Sequence, residues 1–475
     1  MNARCFLLLG AALLSGCQAM PWARHAETDS APAVPAAWRG AAGTASSLGE
    51  RDWREIFGTG ELATLIEEAL VANSDLNIAR ERIAQAQSQL TVQRSLLFPT
   101  LAMGAAYQRE RAPGLLSENT DSELGTFGLS APSWEIDLWG RLRDLNEAAR
   151  QNFLATAETQ SALRSSIVAQ VALAYVDLLQ LDAEQQVADA TLVLRQKSMQ
   201  MVQLRFDAGV AAGVDLQQAR TSLAATERAL ADIARRRERA ENTLAVLIGR
   251  NPGAVKRATQ LKQLNLPATL NAGLPASLLA RRPDIRAAER TLAATRANVE
   301  AARKAFFPSI SLTGFLGVVS PELSRLFVGG REAFSVNPQA SLPIFTAGRL
   351  TASLEAERSQ QRIAAEAYRQ TVRNAFLEVE NALIDYQRSR EQRLALDTTV
   401  SADRERLRLV ELRYHNGVSS HFELLDAQRE LFSAELAQVQ ATSLSYSAVI
   451  QLYRALGGGW DQQAQPTGGP QADRS

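Results

Sequence analysis

The chain of 475 residues has two cysteines, Cys5 and Cys17, and the first falls in a segment laid out like a secretory signal. Removing that signal leaves one thiol, which excludes an internal disulfide. Lys plus Arg and Asp plus Glu both total 51, so no charge excess points to nucleic acid or to an anionic surface as a partner. The cluster Arg235, Arg236, Arg237 and Arg239 is interleaved with Glu238 and Glu241, the mark of a solvated helix face. Five methionines are too few for a thioether-lined path for soft copper or silver ions. Beyond the signal no run of about 18 apolar residues occurs, so the mature chain is expected to lack a transmembrane helix, which leaves a barrel open. A glycine-rich phosphate loop and a Ser, His and Asp set in a nucleophile context are both missing, which speaks against ATP hydrolysis and acyl transfer by this chain.

What is present begins at the N-terminus. Arg4, the apolar stretch Phe6 to Leu14 and the sequence Leu14-Ser15-Gly16-Cys17 match a bacterial lipobox, with cleavage before an acylated Cys17. An ordinary signal peptide that contains a Cys is the alternative. Gln18 follows, where Asp would favour inner-membrane retention, so lipid anchoring at the outer membrane is expected.

An internal repeat governs the rest. SDLNIARERIAQAQSQLTVQRSLLFPTL from Ser74 aligns with PDIRAAERTLAATRANVEAARKAFFPSI from Pro283, and LRFDAGVAAGVDLQQART aligns with LRYHNGVSSHFELLDAQR from Leu412, at an offset of 209 falling to 208. In each half 68 residues pass without Gly or Pro, from Gly140 to Gly209 and from Gly348 to Gly417. Leu163, Ile167, Val171, Ala174, Leu178 and Leu181 recur there at steps of three and four, the seam of a coiled-coil-like helix. Such a helix runs to about 100 Å. After the glycine turn the chain is helical again, from Val214 to Ile248 and from about Ser419 to Leu456, and is expected to pack antiparallel to the helix it left. The returning limb covers about 53 Å, and the helix before each Phe-Pro pair adds about 36 Å, so two short rods nearly match one long one.

Between Phe-Pro and the long helix the period changes to two. Phe334, Val336, Pro338, Ala340 and Leu342 alternate with Ser335, Asn337, Gln339 and Ser341, and Ile310, Leu312, Gly314, Leu316 and Val318 form a second apolar set. Each half thus contributes two strands of about ten residues, the length of a tilted membrane strand. The alternative is a soluble hairpin packed on helices. Four strands cannot close a barrel; two chains would give a filled eight-stranded one, and three a twelve-stranded one open to water.

The expected class is therefore mainly α with a small β part. Expected boundaries are a signal at 1–16, a lipidated extended segment at 17–60, a first repeat at 61–249 with a hairpin near 100–137, a connector at 250–275, a second repeat at 276–457 with a hairpin near 309–344, and a disordered tail at 458–475.

The repeat plan, the lipobox, LATLIEEALVANSDLNIA, FFPSISLTG and LRYHNGVSSHFELLDAQR together resemble the TolC-like outer-membrane factors, in their lipoprotein branch serving RND-type pumps, over nearly the whole mature chain. The resemblance implies a homotrimer with a twelve-stranded barrel over a helical periplasmic tunnel, embedded in outer-membrane lipid and docked to a periplasmic adaptor and an inner-membrane pump, with no cofactor. It places Gly209, Val210, Gly417 and Val418 at adaptor-contact tips and Phe422, Asp426 and Arg429 at the periplasmic aperture. For Asp426 and Arg429 the plainer reading is a surface ion pair under about 1 kcal/mol; for Phe422 it is helix packing. The first copy has Gln218 and Thr221 at the paired positions, so the two tips are expected to be unequal. His415 and His421 flank the second turn without a Cys or carboxylate partner and are expected to give the tip polarity, with no metal. A membrane-tethered coiled-coil spacer, a periplasmic enzyme, and an exit duct for secretion or metal export are the rival functions.

Overall fold

A computed structural model describes residues 34–39, 47–58, 60–112, 120–264 and 271–460. The helices are α1 (Trp53–Phe57), α2 (Glu61–Ala72), α3 (Ser74–Ser95), α4 (Arg141–Asp207), α5 (Gly213–Leu247), α6 (Ser277–Arg281), α7 (Pro283–Lys304), α8 (Arg349–His415) and α9 (His421–Ala455). The strands are β1 (Ala102–Ala112), β2 (Thr120–Ile136), β3 (Ser309–Ser320) and β4 (Glu332–Ser341). Short 3-10 turns lie at Leu48–Glu50, Leu261–Gln263 and Leu323–Arg325. Each Gly- and Pro-free stretch forms one unbroken helix of 67 residues, α4 and α8, as the absence of breakers predicts. The chain divides into two compact units. One holds Gln85–Leu154 and Ala288–Arg369; the other holds Val34–Ala84, Ala155–Ala287 and the chain from Gln370 onward.

The first unit carries the sheet, antiparallel throughout in the order β1-β2-β3-β4. Register puts Met103, Leu129, Leu316 and Phe334 in one row across the four strands, and all four are exposed. Directly opposed residues share a face, so this row belongs to the apolar side, while Thr313, Asn337, Ser311 and Gln339 fall on the other. At 17 residues β2 exceeds the expected ten or so. Between Ala131 and Trp134 it advances three residues against two on β3, a bulge at Pro132 and Ser133. The extra residue keeps Trp134 and Ile136 opposite Leu312 and Ile310, on the apolar side. Residues 113–119, which link β1 to β2, lie outside the described residues. On the helical side Trp139 stacks on Phe307 at 5.3 Å, tying the start of α4 to the Phe-Pro end of α7.

The second unit contains most of the core. Ile167, Val171, Leu178 and Leu181 of the anticipated seam are buried, whereas Leu163 and Ala174 are half-buried. Val168, Ala172, Tyr175, Val176 and Leu179 are buried as well, so α4 is covered over more than a single stripe. Contrary to the expectation from sequence, one 18-residue window of α4 is apolar enough to cross a membrane by length and composition, but 56% of it is buried within the fold. Tyr175 donates to Glu61 Oε2 at 2.8 Å, bringing α2 onto this face. Glu61 also accepts the amides of Ala258 and Thr259, and Arg257 bonds Asp182 and Glu241, fixing the connector.

The duplication extends to individual bonds. Asn73 Nδ2 donates to the Leu247 carbonyl at 2.8 Å, while its Oδ1 accepts the amides of Asp75 and Leu76 and caps α3. At the equivalent place in the second half, Arg282 Nη1 donates to the Ala455 carbonyl at 3.1 Å and its Nη2 pairs with Asp284 at 2.7 Å. Both halves thus fasten the end of the returning helix to the start of a short one, by different side chains.

Candidate functional site: the paired hairpin tips

The tips lie within the second unit, where each long helix ends in the same turn. Gly209 takes φ +77° and Gly417 φ +73°; the amide of Val210 donates to the Arg205 carbonyl at 2.8 Å, and that of Val418 to Arg413 at 2.9 Å. A left-handed residue followed by a bond back five positions closes the last helical turn. A side chain at either glycine would meet nothing within 4 Å, so the backbone angle alone demands glycine. Val210 and Val418, each 68% exposed, sit beside the turns.

Beneath the turns the same apolar contact is built twice. Met199, Val202, Leu216 and Ala219 cluster in the first hairpin, and Leu407, Val410, Leu424 and Ala427, each 208 positions later, cluster in the second. The second also holds Tyr414 and recruits Leu194 from α4. Polar ties separate the two tips. Ser420 caps α9 by accepting the Glu423 amide at 3.2 Å, and Ser419 bonds the Glu423 carboxylate; Ala211 and Ala212 occupy those positions in the first copy and cannot. The guanidinium of Arg205 lies 5.1 Å from the Tyr414 ring centre, a cation–π contact between α4 and α8.

Phe422 is largely exposed. Asp426 accepts from Arg429 Nη2 at 2.7 Å, so the pair expected from its spacing forms. It also accepts from Arg406 Nη2 of α8 at 2.6 Å, a partner the sequence reading missed. The signal for Arg406 was its distance from the turn: in an antiparallel hairpin, residues similarly far from the bend face each other.

His421 corrects an expectation. Predicted to supply tip polarity, it is 6% exposed and neither ring nitrogen has a hydrogen-bond partner among the described residues. As the first residue of α9 it turns under the bend and lies 5.8 Å from the Tyr414 ring. Burial first, then Arg205 and Arg195, push its pKa below the usual imidazole value, against the pull of Asp215. His415 is exposed, and no group of three His, Cys, Asp or Glu side chains suited to a metal gathers among the described residues. Cys17, the expected lipid site, lies outside the described residues, as does 461–475 of the expected tail.

The duplicated long-helix hairpins with an interleaved four-stranded sheet define a class, the outer membrane efflux proteins, whose family model matches residues 65–250 and 274–458. The chain belongs to that family. It is 36% identical to the toluene efflux pump outer membrane protein TtgC of Pseudomonas putida over 469 residues, covering 96% of each chain. It is also 36% identical to the outer membrane protein OprJ of Pseudomonas aeruginosa, covering 96% of this chain and 95% of that one. Among solved structures it superposes on the open state of the Neisseria gonorrhoeae MtrE outer membrane channel with a TM-score of 0.82 at 35% identity, covering 90% of this chain and 96% of that one.

Proposed function

We propose that three copies of this chain pool their sheets into one twelve-stranded outer-membrane barrel, forming the exit channel of a tripartite efflux pump that passes drugs or other solutes outward without chemistry. One observation carries the reading: a four-stranded sheet whose outer strands, β1 and β4, each have one partner strand in the sheet, with an exposed apolar row on one side and polar residues on the other. Such a sheet is too narrow to close on itself, and an apolar outer face with a polar inner one suits a water-filled barrel. TtgC is by name the outer membrane protein of a toluene efflux pump, and a role of that kind is assigned here. Acylation at Cys17 adds the lipid anchor.

The periplasmic adaptor, itself bound to an inner-membrane pump, meets the tips at Gly209, Val210, Gly417 and Val418; support comes from the two equally exposed valines beside rigid turns. Phe422, Asp426 and Arg429 narrow the aperture, with Arg406 holding Asp426 from the neighbouring helix. Purified full-length protein in detergent is expected to have the mass of a trimer and to conduct in planar bilayers. A compact monomer without conductance overturns the reading.

A further inference from the structure

In the second unit a cavity of about 590 Å³ opens between α5 and α9, just past the two turns. Phe422, Leu425 and Phe432 of α9 and Val214, Ala225 and Ala229 of α5 give it apolar walls. Arg195 of α4 lines it too. This guanidinium is 5% exposed, its Nη1 bonds the Ser222 hydroxyl, and its buried Nε has no partner among the described residues. Among the described residues no carboxylate stands against it: Asp426, the acidic group in the lining, is bonded by both Arg406 and Arg429. Burial and then the charge of Arg429 push the Arg195 pKa down, so its surroundings do not compensate its charge. A desolvated, unpaired cation is costly, and an anion brought to it recovers that cost. The apolar walls select what else the anion carries.

We propose that this cavity is a binding site for a small amphipathic anion, an aromatic or branched aliphatic ring system bearing one carboxylate or sulfonate, with the acidic group on Arg195 and the ring between Phe422 and Phe432. Such a ligand touches both α5 and α9 and so fastens the first hairpin to the second. It stabilises the arrangement in which the two tips flank the cavity, by mass action in proportion to its occupancy.

The test uses naphthalene-2-sulfonate as probe, with uncharged 2-methylnaphthalene as control, on the purified full-length channel in detergent. Calorimetric titration is expected to show saturable binding at one site per chain for the sulfonate, with the neutral control at least about tenfold weaker, the scale of one charge-assisted contact. Arg195→Gln is expected to weaken the sulfonate by about tenfold or more, and Arg195→Lys by less. Ala225→Trp fills the cavity from the α5 side without touching the arginine and is expected to abolish binding; it serves as the second variant should Arg195→Gln fail to fold. Equal binding of the sulfonate to the native protein and to a folded Arg195→Gln, or absence of saturable binding, overturns the proposal. So does an assembled structure in which a carboxylate of a neighbouring copy occupies Arg195. None of these outcomes bears on whether the chain conducts.

Discussion

Asp426 holds two guanidinium groups from two helices, and all three side chains remain partly open to solvent. Ion pairs of that kind contribute about 0–1 kcal/mol each, too little to decide whether the hairpin folds but enough to bias the aperture proposed above, where symmetry repeats them. Asp426→Ala is therefore expected to leave thermal stability nearly unchanged while raising single-channel conductance or antibiotic leakage; unchanged conductance removes Asp426 from the aperture. His421 acts in the other direction. Its folded pKa is depressed, so between the ordinary imidazole value of about 6.5 and that lower value the unfolded chain binds more protons than the folded one. Stability is complete above about pH 6.5 and is lost as pH falls through the window below it. Native protein is expected to melt earlier at about pH 5 than at about pH 7.5, and His421→Phe to reduce that difference; an identical pH dependence in the variant refutes the assignment. The sequence showed Asp426 and Arg429 because they are three apart on one helix. It hid His421, because a polar residue beside a turn is ordinarily solvated, and it hid Arg195, because only the approach of α5 closes over that residue.

At the scale of the element, the hairpins are governed by how their glycines are surrounded. Gly417 stands in open space, so Gly417→Ala is expected to cost only the left-handed backbone penalty of about 1–2 kcal/mol. Gly249, at φ +84°, is different: a Cβ there would lie 2.6 Å from the Ala72 carbonyl oxygen. Gly249→Ala is expected to lower the melting temperature by clearly more than Gly417→Ala, read by circular dichroism on both variants; equal losses show that α2 and the end of α5 yield at no cost. Asn73→Ala removes both the α3 cap and the bond to the Leu247 carbonyl, with an expected loss of about 1–2 kcal/mol. The long helices and their returning limbs were legible because runs without Gly or Pro and Gly-Val turns are local signals. The latches were not, since Asn73 and Arg282 share neither charge nor shape, and only the fold shows that they do one job.

At the scale of the molecule, the alternation of the strands separates two consequences. Phe334→Arg places a charge on the apolar side and is expected to lower the yield of membrane-inserted trimer, with a cost of about 2–4 kcal/mol if it lies near the bilayer midplane. Asn337→Arg, on the opposite side, is expected to insert normally and to shift ion selectivity in bilayer recordings; equal defects in both contradict the assignment of faces. The alternation itself was legible in β3 and β4, whereas the bulge at Pro132 and Ser133 was not, because a single added residue leaves no periodic trace. The open margins of the sheet have a further effect on the life of the protein. Until its neighbours arrive, each newly made subunit travels with two strands that can be zipped by any extended peptide, so maturation competes with clumping and its success rises steeply with how many siblings share the same patch of membrane.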